Sequence, residues 1–369
     1  MNAELLRNDI KIKGATAHIL VTGAAGYIGS VVAEELSKHG HGIIALDNLS
    51  QGHAAAVPRD VKFIEGDLND ADLLDILFQN YQIDSVVHLA SCTLVSESMG
   101  NPAKYFQNNL TAGLNLVNTM QRYQVKKMVF SSSCAIYSAR QSDKINESTP
   151  KEPINPYGEA KLMFEKILNW YWEAYGLRSI SLRYFNAAGA TECHGESHDP
   201  ETHLIPNVIN TALKKRKNVT VFGKDYPTPD GTCVRDYVHV SDIARAHILA
   251  LHQLGEKPGC RAYNLGASVG YSVMEVIDAV RKISGVDIPV NFSAPRPGDP
   301  PVLIADASLA KNELGWEPLS SKLDTIIESA YRWMSRNSDG YGDNSRVKEL
   351  LKFVNWQNMA ETGYRLCRG

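Results

Sequence analysis

From His18 onward, short apolar runs alternate with longer segments in which apolar positions recur every three or four residues. HILVT (18–22) is a β-branched run closed by glycine, which predicts a strand. GAAGYIGSVVAEELSKHG (23–40) then takes helical spacing, with Lys38 and His39 ahead of a stop at Gly40. HGIIALD (41–47), VKFIEGD (61–67), SVVHLA (85–90), KKMVFSSS (126–133) and RSISLRYFN (178–186) predict further strands, separated by helical patterns such as 70–80 and 103–123. Short apolar strands alternating with helices predict an α/β fold, a Rossmann-type doubly wound parallel sheet covered on both faces.

The pattern changes after Asn186. GATECHGESHDPETH (189–203) is polar and loop-like, and DYPTPDGT (225–232) is dense in turn residues. A smaller α/β C-terminal domain is therefore expected over 187–342, after a first domain over 18–186. YVHVSDIARAHILAL and RAYNLGA, within about 237–267, are expected to rejoin the first domain. Residues 1–17 read as an N-terminal extension. Residues 343–369 read as a C-terminal extension whose VKELLKFVNWQNM piece could form a docking helix.

Composition narrows the functional class. Hydrophobic residues at 44% against 21% charged argue for a packed globular chain, and a net charge of −3 gives no basic field for nucleic acid or anionic membrane. No apolar run reaches the roughly 18 residues that a membrane span needs. The N-terminus lacks the apolar block of a secretory signal. Six scattered cysteines without a C-x-x-C pair fit neither a disulfide framework nor zinc spacing, and point to a reduced, cytoplasmic protein.

Two patterns carry chemistry. Gly23-Ala-Ala-Gly26-Tyr27-Ile28-Gly29 follows a strand and opens a helix, so the backbone can approach a pyrophosphate at the helix N-terminus. Asp47 ends the next strand eighteen residues past Gly29, where a carboxylate accepts ribose hydroxyls and favours NAD over its 2′-phosphorylated form. Asp67 ends the third strand, within reach of an adenine edge. The second pattern is Tyr157-Gly-Glu-Ala-Lys161. Positions four apart share a helix face, so a lysine ammonium there would favour the phenolate of Tyr157.

With these stand VTGAAGYIGS, ALDNLS, EGDL, HLAS, LVSESMGNPAKYFQNN, the SSS strand end, NPYGEAKLMFEKIL, LRYFNAAGA, HLIP, VFGKDYPTPDGTCVRDYVHVSD, YNLGA and RPGDP. Over about residues 18–341 the chain resembles the extended short-chain dehydrogenase/reductase superfamily and, within it, the UDP-glucose 4-epimerase family. The resemblance implies NAD as cofactor, held by Gly23, Gly26, Tyr27, Ile28, Gly29, Asp47, Asn48, Asp67, Leu68, Leu89, Ala90, Asn108, Tyr157, Lys161 and Tyr184. It implies Ser133, Tyr157 and Lys161 as catalytic residues: Tyr157 takes the proton of the sugar 4-hydroxyl while hydride leaves C4. The 4-keto sugar then turns over and receives the hydride on its other face. For a UDP-sugar substrate it implies Asn186, His203, Leu204, Arg235, Arg296 and Asp299, with Val219 and Phe222 near the uracil, beside Ser133 and Tyr157. It also implies a homodimer through helices near 103–123 and 161–175, whose stripe of Leu162, Ile167, Trp170 and Trp172 could equally be core.

The expected reaction is C4 epimerisation, first of UDP-galactose and UDP-glucose. Thr93, Cys134, Ser138 and Leu303 depart from common family residues, which keeps UDP-xylose/UDP-arabinose and UDP-N-acetylhexosamines as alternatives. Nucleotide-sugar dehydratases and decarboxylases need an acidic residue just after the catalytic hydroxyl; Cys134 and Ala135 cannot serve. A non-catalytic NAD-binding regulator would have little reason to keep Tyr157, Lys161 and Ser133 together.

Overall fold

The computed structural model describes residues 18–138, 144–296 and 299–342. The expected extensions at 1–17 and 343–369, with the docking helix, lie outside the described residues, as do Pro297 and Gly298 of the RPGDP stretch.

Seven strands form a wholly parallel sheet: β1 (His18–Thr22), β2 (Gly42–Asp47), β3 (Lys62–Glu65), β4 (Ser85–His88), β5 (Lys127–Ser133), β6 (Arg178–Tyr184) and, much later in the chain, β10 (Cys260–Leu265). Their order is β10-β6-β5-β4-β1-β2-β3. The chain leaves β1 toward one side, then returns to continue on the other, so a crevice opens beyond the carboxyl ends of β1 and β4. Alternation along β1 sends Ile19 and Val21 to one face and Leu20 to the other. The first face packs on α1 (Tyr27–Lys38) and α8 (Val240–Glu256); the second packs on α2 (Ala71–Asn80), α5 (Ala112–Arg122) and α6 (Pro156–Tyr175).

The remaining strands build two small sheets. β9 (Val234–His239) pairs antiparallel with β11 (Gly270–Ser272) and parallel with both β7 (Asn186–Ala188) and β13 (Val302–Leu303); β8 (Val219–Phe222) pairs with β12 (Val290–Ser293). A separate apolar core joins these to α7 (Leu204–Ala212), α9 (Val273–Ser284) and α11 (Leu323–Arg336). Between β13 and α11, α10 (Ser308–Leu314) returns to the first core through Ala310 and Leu314.

The helix expected over 103–123 is interrupted. After α3 (Val95–Gly100), the short α4 (Pro102–Phe106) passes into one π-helical turn over Gln107–Thr111 before α5 begins. The wide turn turns Asn109 inward, where its side chain accepts from the Cys92 amide at 2.7 Å and donates to the Cys92 carbonyl at 2.9 Å. A side chain that satisfies both backbone groups of a distant loop offsets the poorer geometry of such a turn. The stripe on α6 also divides: Leu162 is buried beside Ile136, Tyr137 and Phe185, whereas Trp170 is 73% exposed.

One buried polar network fixes α6 against the sheet. Glu165, one turn beyond Lys161, accepts from Arg183 Nε at 3.0 Å and Nη2 at 2.6 Å, and from the Ser132 hydroxyl at 2.6 Å. Arg183 Nη1 donates to the Tyr137 hydroxyl, which donates to Asn264 Oδ1, each at 2.7 Å. The network thus links β5, β6, β10 and α6.

Candidate active site

The turn after β1 leaves no room for a side chain at Gly23 or Gly29. Gly23 has φ of +73°, and a Cβ there would lie 2.5 Å from the Ala90 nitrogen; a Cβ on Gly29 would lie 1.9 Å from the Gly23 carbonyl oxygen. Helix α1 is therefore seated on the turn, and no side chain caps its N-terminus at Gly26. Its first N–H groups, including those of Tyr27 and Ile28, keep the capacity to receive a phosphate. At the end of β2, Asp47 is buried and accepts from the Ala25 amide at 2.9 Å and the Leu49 amide at 2.8 Å. Burial pushes its carboxyl above the usual range, with those two amides acting in the opposite sense.

Asp67 accepts from Asn48 Nδ2 at 2.7 Å and from the backbone and side chain of Asn69 at 2.8 Å. Burial raises its pKa, but these donors outweigh it and hold the carboxyl below its ordinary value. Asn48 and Asp67 thus come together at the ends of β2 and β3. Leu68 is buried beside them; Leu89 and Ala90 follow β4 against Gly23. Asn108 is turned back onto its own helix, donating to the Lys104 carbonyl at 2.9 Å.

Tyr157 and Lys161 stand on the first turns of α6. Asn155 caps this helix by accepting from the Gly158 amide at 2.8 Å, and Pro156 takes the first helical position. Gly158 permits close approach: a Cβ there would lie 2.2 Å from the Ala135 carbonyl oxygen. Tyr157 is brought beside Ser133, whose hydroxyl accepts from the Ala135 amide at 3.1 Å where β5 ends. Lys161 is buried, 5.7 Å from the centre of the Tyr157 ring. Tyr105 meets the same ring edge-on at 6.5 Å, and Tyr184 hydrogen bonds His247 at 2.7 Å.

The electrostatics differ from the simple pairing that the i, i+4 spacing suggests. The Lys161 ammonium donates to the Ser131 carbonyl at 2.7 Å rather than to the phenol, and lies 5.0 Å over the Phe130 ring. Burial dominates both groups in the protein alone. It pushes Tyr157 up to about 12, against the Ser133 hydroxyl, and brings Lys161 down to about 7. Cys134 is likewise pushed up to about 12 by burial, so it stays a neutral thiol.

The other expected residues lie in the second part of the chain. Arg235 pairs with Asp299 and also donates to the Val234 carbonyl at 2.8 Å. The Arg296 guanidinium stacks 4.1 Å over the Phe222 ring, a flat apolar and cationic surface. Asn186 donates to the Asp236 carbonyl at 2.8 Å, which ties β7 to β9. His203 stands at the N-cap position of α7 without a side-chain capping bond and pairs with Glu196 and Glu201; Glu196 chiefly raises its imidazole to about 10. Leu204 packs on the second core. Val219 is not brought to the others, because alternation along β8 turns it into that core with Val221. Sequence reasoning missed Glu165, Arg183, Ser131 and Tyr105. Only the i+4 step from Lys161 to Glu165 carried a signal for any of them.

Residues 19–266 match the NAD dependent epimerase/dehydratase family. The chain belongs to this family. A UDP-glucose 4-epimerase of Halalkalibacterium halodurans is 46% identical over 333 residues, covering 90% of this chain and 99% of the relative. A Brucella ovis UDP-glucose 4-epimerase in complex with NAD superposes with a TM-score of 0.83 at 44% identity, over 86% of this chain and 98% of that one. A Bifidobacterium longum UDP-glucose 4-epimerase in complex with NAD+ and UDP gives 0.84 at 38% identity, over 88% and 100%. NAD is the cofactor of this epimerase/dehydratase. The glycine cradle that a Cβ would fill, the uncapped α1 and the buried Asp47 carboxylate all fit it.

Lys161 gives a pH signature. Its pKa is near 7 in the folded protein and 10.5 ordinarily, so the unfolded chain binds more protons between those values. The cost of burying it is full below about pH 7 and is relieved as pH rises toward 10.5. In urea titrations of the NAD-free protein, the unfolding free energy of wild type relative to Lys161→Met should therefore rise from pH 7 to pH 10. A difference that stays flat with pH would contradict a buried, depressed lysine.

Proposed function

We propose that the protein is an NAD-dependent UDP-sugar 4-epimerase whose preferred substrates are UDP-galactose and UDP-glucose. The observation that carries the reading is the meeting of Tyr157 and Ser133 at the end of β5, with Lys161 buried behind them. Bound NAD supplies the acceptor and then the donor of the hydride at sugar C4. Tyr157 removes the 4-hydroxyl proton and later returns it, while Ser133 hydrogen bonds the same oxygen. A phenol near 12 is a poor base at neutral pH. Lys161 is divided between charged and neutral forms there, and its charged form stabilises the phenolate.

Arg235 and Arg296 would hold the diphosphate, with Asp299 and Asn186 ordering the nucleotide and the Arg296–Phe222 stack facing the base. In this division of labour, residues 18–186 with about 237–267 bind NAD, and the rest of 187–342 binds the UDP-sugar. Cys134 and Leu303 pack on the same small cluster beside Tyr137. A thiol at Cys134 and an aliphatic side chain at Leu303, where family members often carry a hydroxyl and a bulkier group, support a second reading in which a UDP-pentose or UDP-N-acetylhexosamine is preferred. The scattered thiols suit the reducing cytoplasm, and no helix among the described residues is long and apolar enough to cross a membrane.

Tyr157→Phe should lose turnover by roughly a hundredfold or more while retaining NAD. Turnover is followed by NMR of the C4 epimers across a panel of UDP-sugars. Equal turnover of UDP-galactose by both proteins would refute the role of Tyr157, and wild-type turnover of a UDP-pentose alone would select the second reading.

A homodimer through the faces of α5 and α6 belongs to the same proposal, carried by the exposure of Trp170 on α6. Light scattering after gel filtration should give a dimer for the wild type and a monomer for Trp170→Glu. A monomeric wild type would exclude it.

A further inference from the structure

The polar loop joining β7 to α7 carries Glu196, His198, Glu201 and His203; of these only His203 is expected at the UDP-sugar, and the proposed chemistry gives the four no joint role. One ligand atom from each of the four lies within 4.8 Å of all the others. His198 Nδ1 is 3.1 Å from Glu196 Oε1 and 3.9 Å from Glu201 Oε2. His203 Nδ1 is 3.4 Å from Glu201 Oε1 and pairs still more closely with Glu196. A tetrahedral zinc ion with bonds of about 2.0–2.1 Å sets its donors roughly 3.3–3.4 Å apart, within the 4.8 Å that bounds the four donor atoms.

The charge balance points the same way. Among the described residues, the ion-pair partners of Glu196 and Glu201 are these two imidazoles alone. Glu196 and Glu201 side chains are only 9% and 12% exposed, so two carboxylates converge where solvent screens them little. Two imidazoles and two carboxylates suit a first-row transition ion such as zinc; an all-oxygen shell would suit calcium or magnesium.

The surroundings hold the four donors in position. His53 hydrogen bonds the Ser197 carbonyl at 2.7 Å, fixing the backbone between Glu196 and His198. The Tyr341 hydroxyl bonds both the amide and the carbonyl of Gly195 at 3.0 Å. The His203 amide donates to Glu201 Oε1 at 2.8 Å. Outer contacts of this kind orient ligands in known zinc sites. We propose that Glu196, His198, Glu201 and His203 form a structural zinc site.

The site joins two regions that the cofactor and substrate use. His198 packs edge-on against Tyr27, at the start of α1, with ring centres 6.4 Å apart. The Tyr27 hydroxyl donates to the Gly189 carbonyl at 2.5 Å, near the start of the same loop. His203 stands at the N-cap position of α7 at the far end. One ion therefore fastens the loop between the dinucleotide turn and the second core.

The test uses the full, untagged chain, stripped with chelator and titrated with Co2+. The wild type should bind one Co2+ per chain with the intense visible bands of a tetrahedral ion, and Zn2+ should displace it. The double variant His198→Gln, Glu201→Gln should lose those bands with its far-UV circular dichroism unchanged. Absence of tetrahedral bands in the wild type overturns the proposal, as does an unchanged spectrum and stoichiometry in the variant. Zinc-edge X-ray absorption on the loaded wild type decides independently of any variant. A shell with two imidazoles and carboxylate oxygens is expected; sulfur ligands or an all-oxygen shell overturn the site.

Discussion

The bidentate pair between Arg183 and Glu165 sets the face that α6 turns toward the sheet. Both side chains are largely buried, at 5% and 9% exposure, and both oxygens of the carboxylate are engaged. Breaking such a pair by deleting one partner leaves a desolvated charge and costs about 3–5 kcal/mol. Tyr157, Lys161 and Glu165 stand at successive i+4 positions, so the rotation that satisfies Glu165 also directs the other two at the end of β5. The same carboxylate takes the Ser132 hydroxyl, the immediate neighbour of Ser133. A charge pair in the packing layer thus aligns the helix and the strand from which Tyr157, Lys161 and Ser133 project.

The rest of the site follows from where the chain reverses direction in the sheet. β1, β2 and β4 end together, so the glycine turn, Asp47 and the Leu89–Ala90 segment face one crevice. β5 and β6 end beside them and carry Ser133 and Tyr184. The second core then presents Arg235, Asp299 and the Arg296–Phe222 stack from β9, β8 and the loop before β13. Burial gives this crevice its chemical character. It disfavours charge on both Tyr157 and Lys161 in the protein alone, so ionisation of the phenol is tied to what enters the pocket.

Much of this was legible in the sequence because local rules carry it. Strand runs, the glycine spacing, Asp47 at a strand end and the Tyr157–Lys161 step all depend on neighbours within one or two elements. What was not legible depends on distant partners. The π-helical turn at Gln107–Thr111 is fixed by Cys92, and nothing in its own helical pattern announces it. Arg183 and Glu165 find each other only when β6 and α6 pack. VTVF in β8 alternates equally well in either sense, and the core of the second part decides that Val219 points inward. The cluster at Glu196–His203 follows no familiar metal spacing, since the fold of the loop brings its four donors together.

The most direct test of this account replaces Glu165 by Gln, which keeps the shape and removes the charge that grips Arg183. Circular dichroism and NAD content should be preserved while kcat for UDP-galactose falls at least tenfold with KM little changed. An unchanged kcat in a variant whose unfolding free energy has dropped would contradict it, leaving the pair a matter of stability alone.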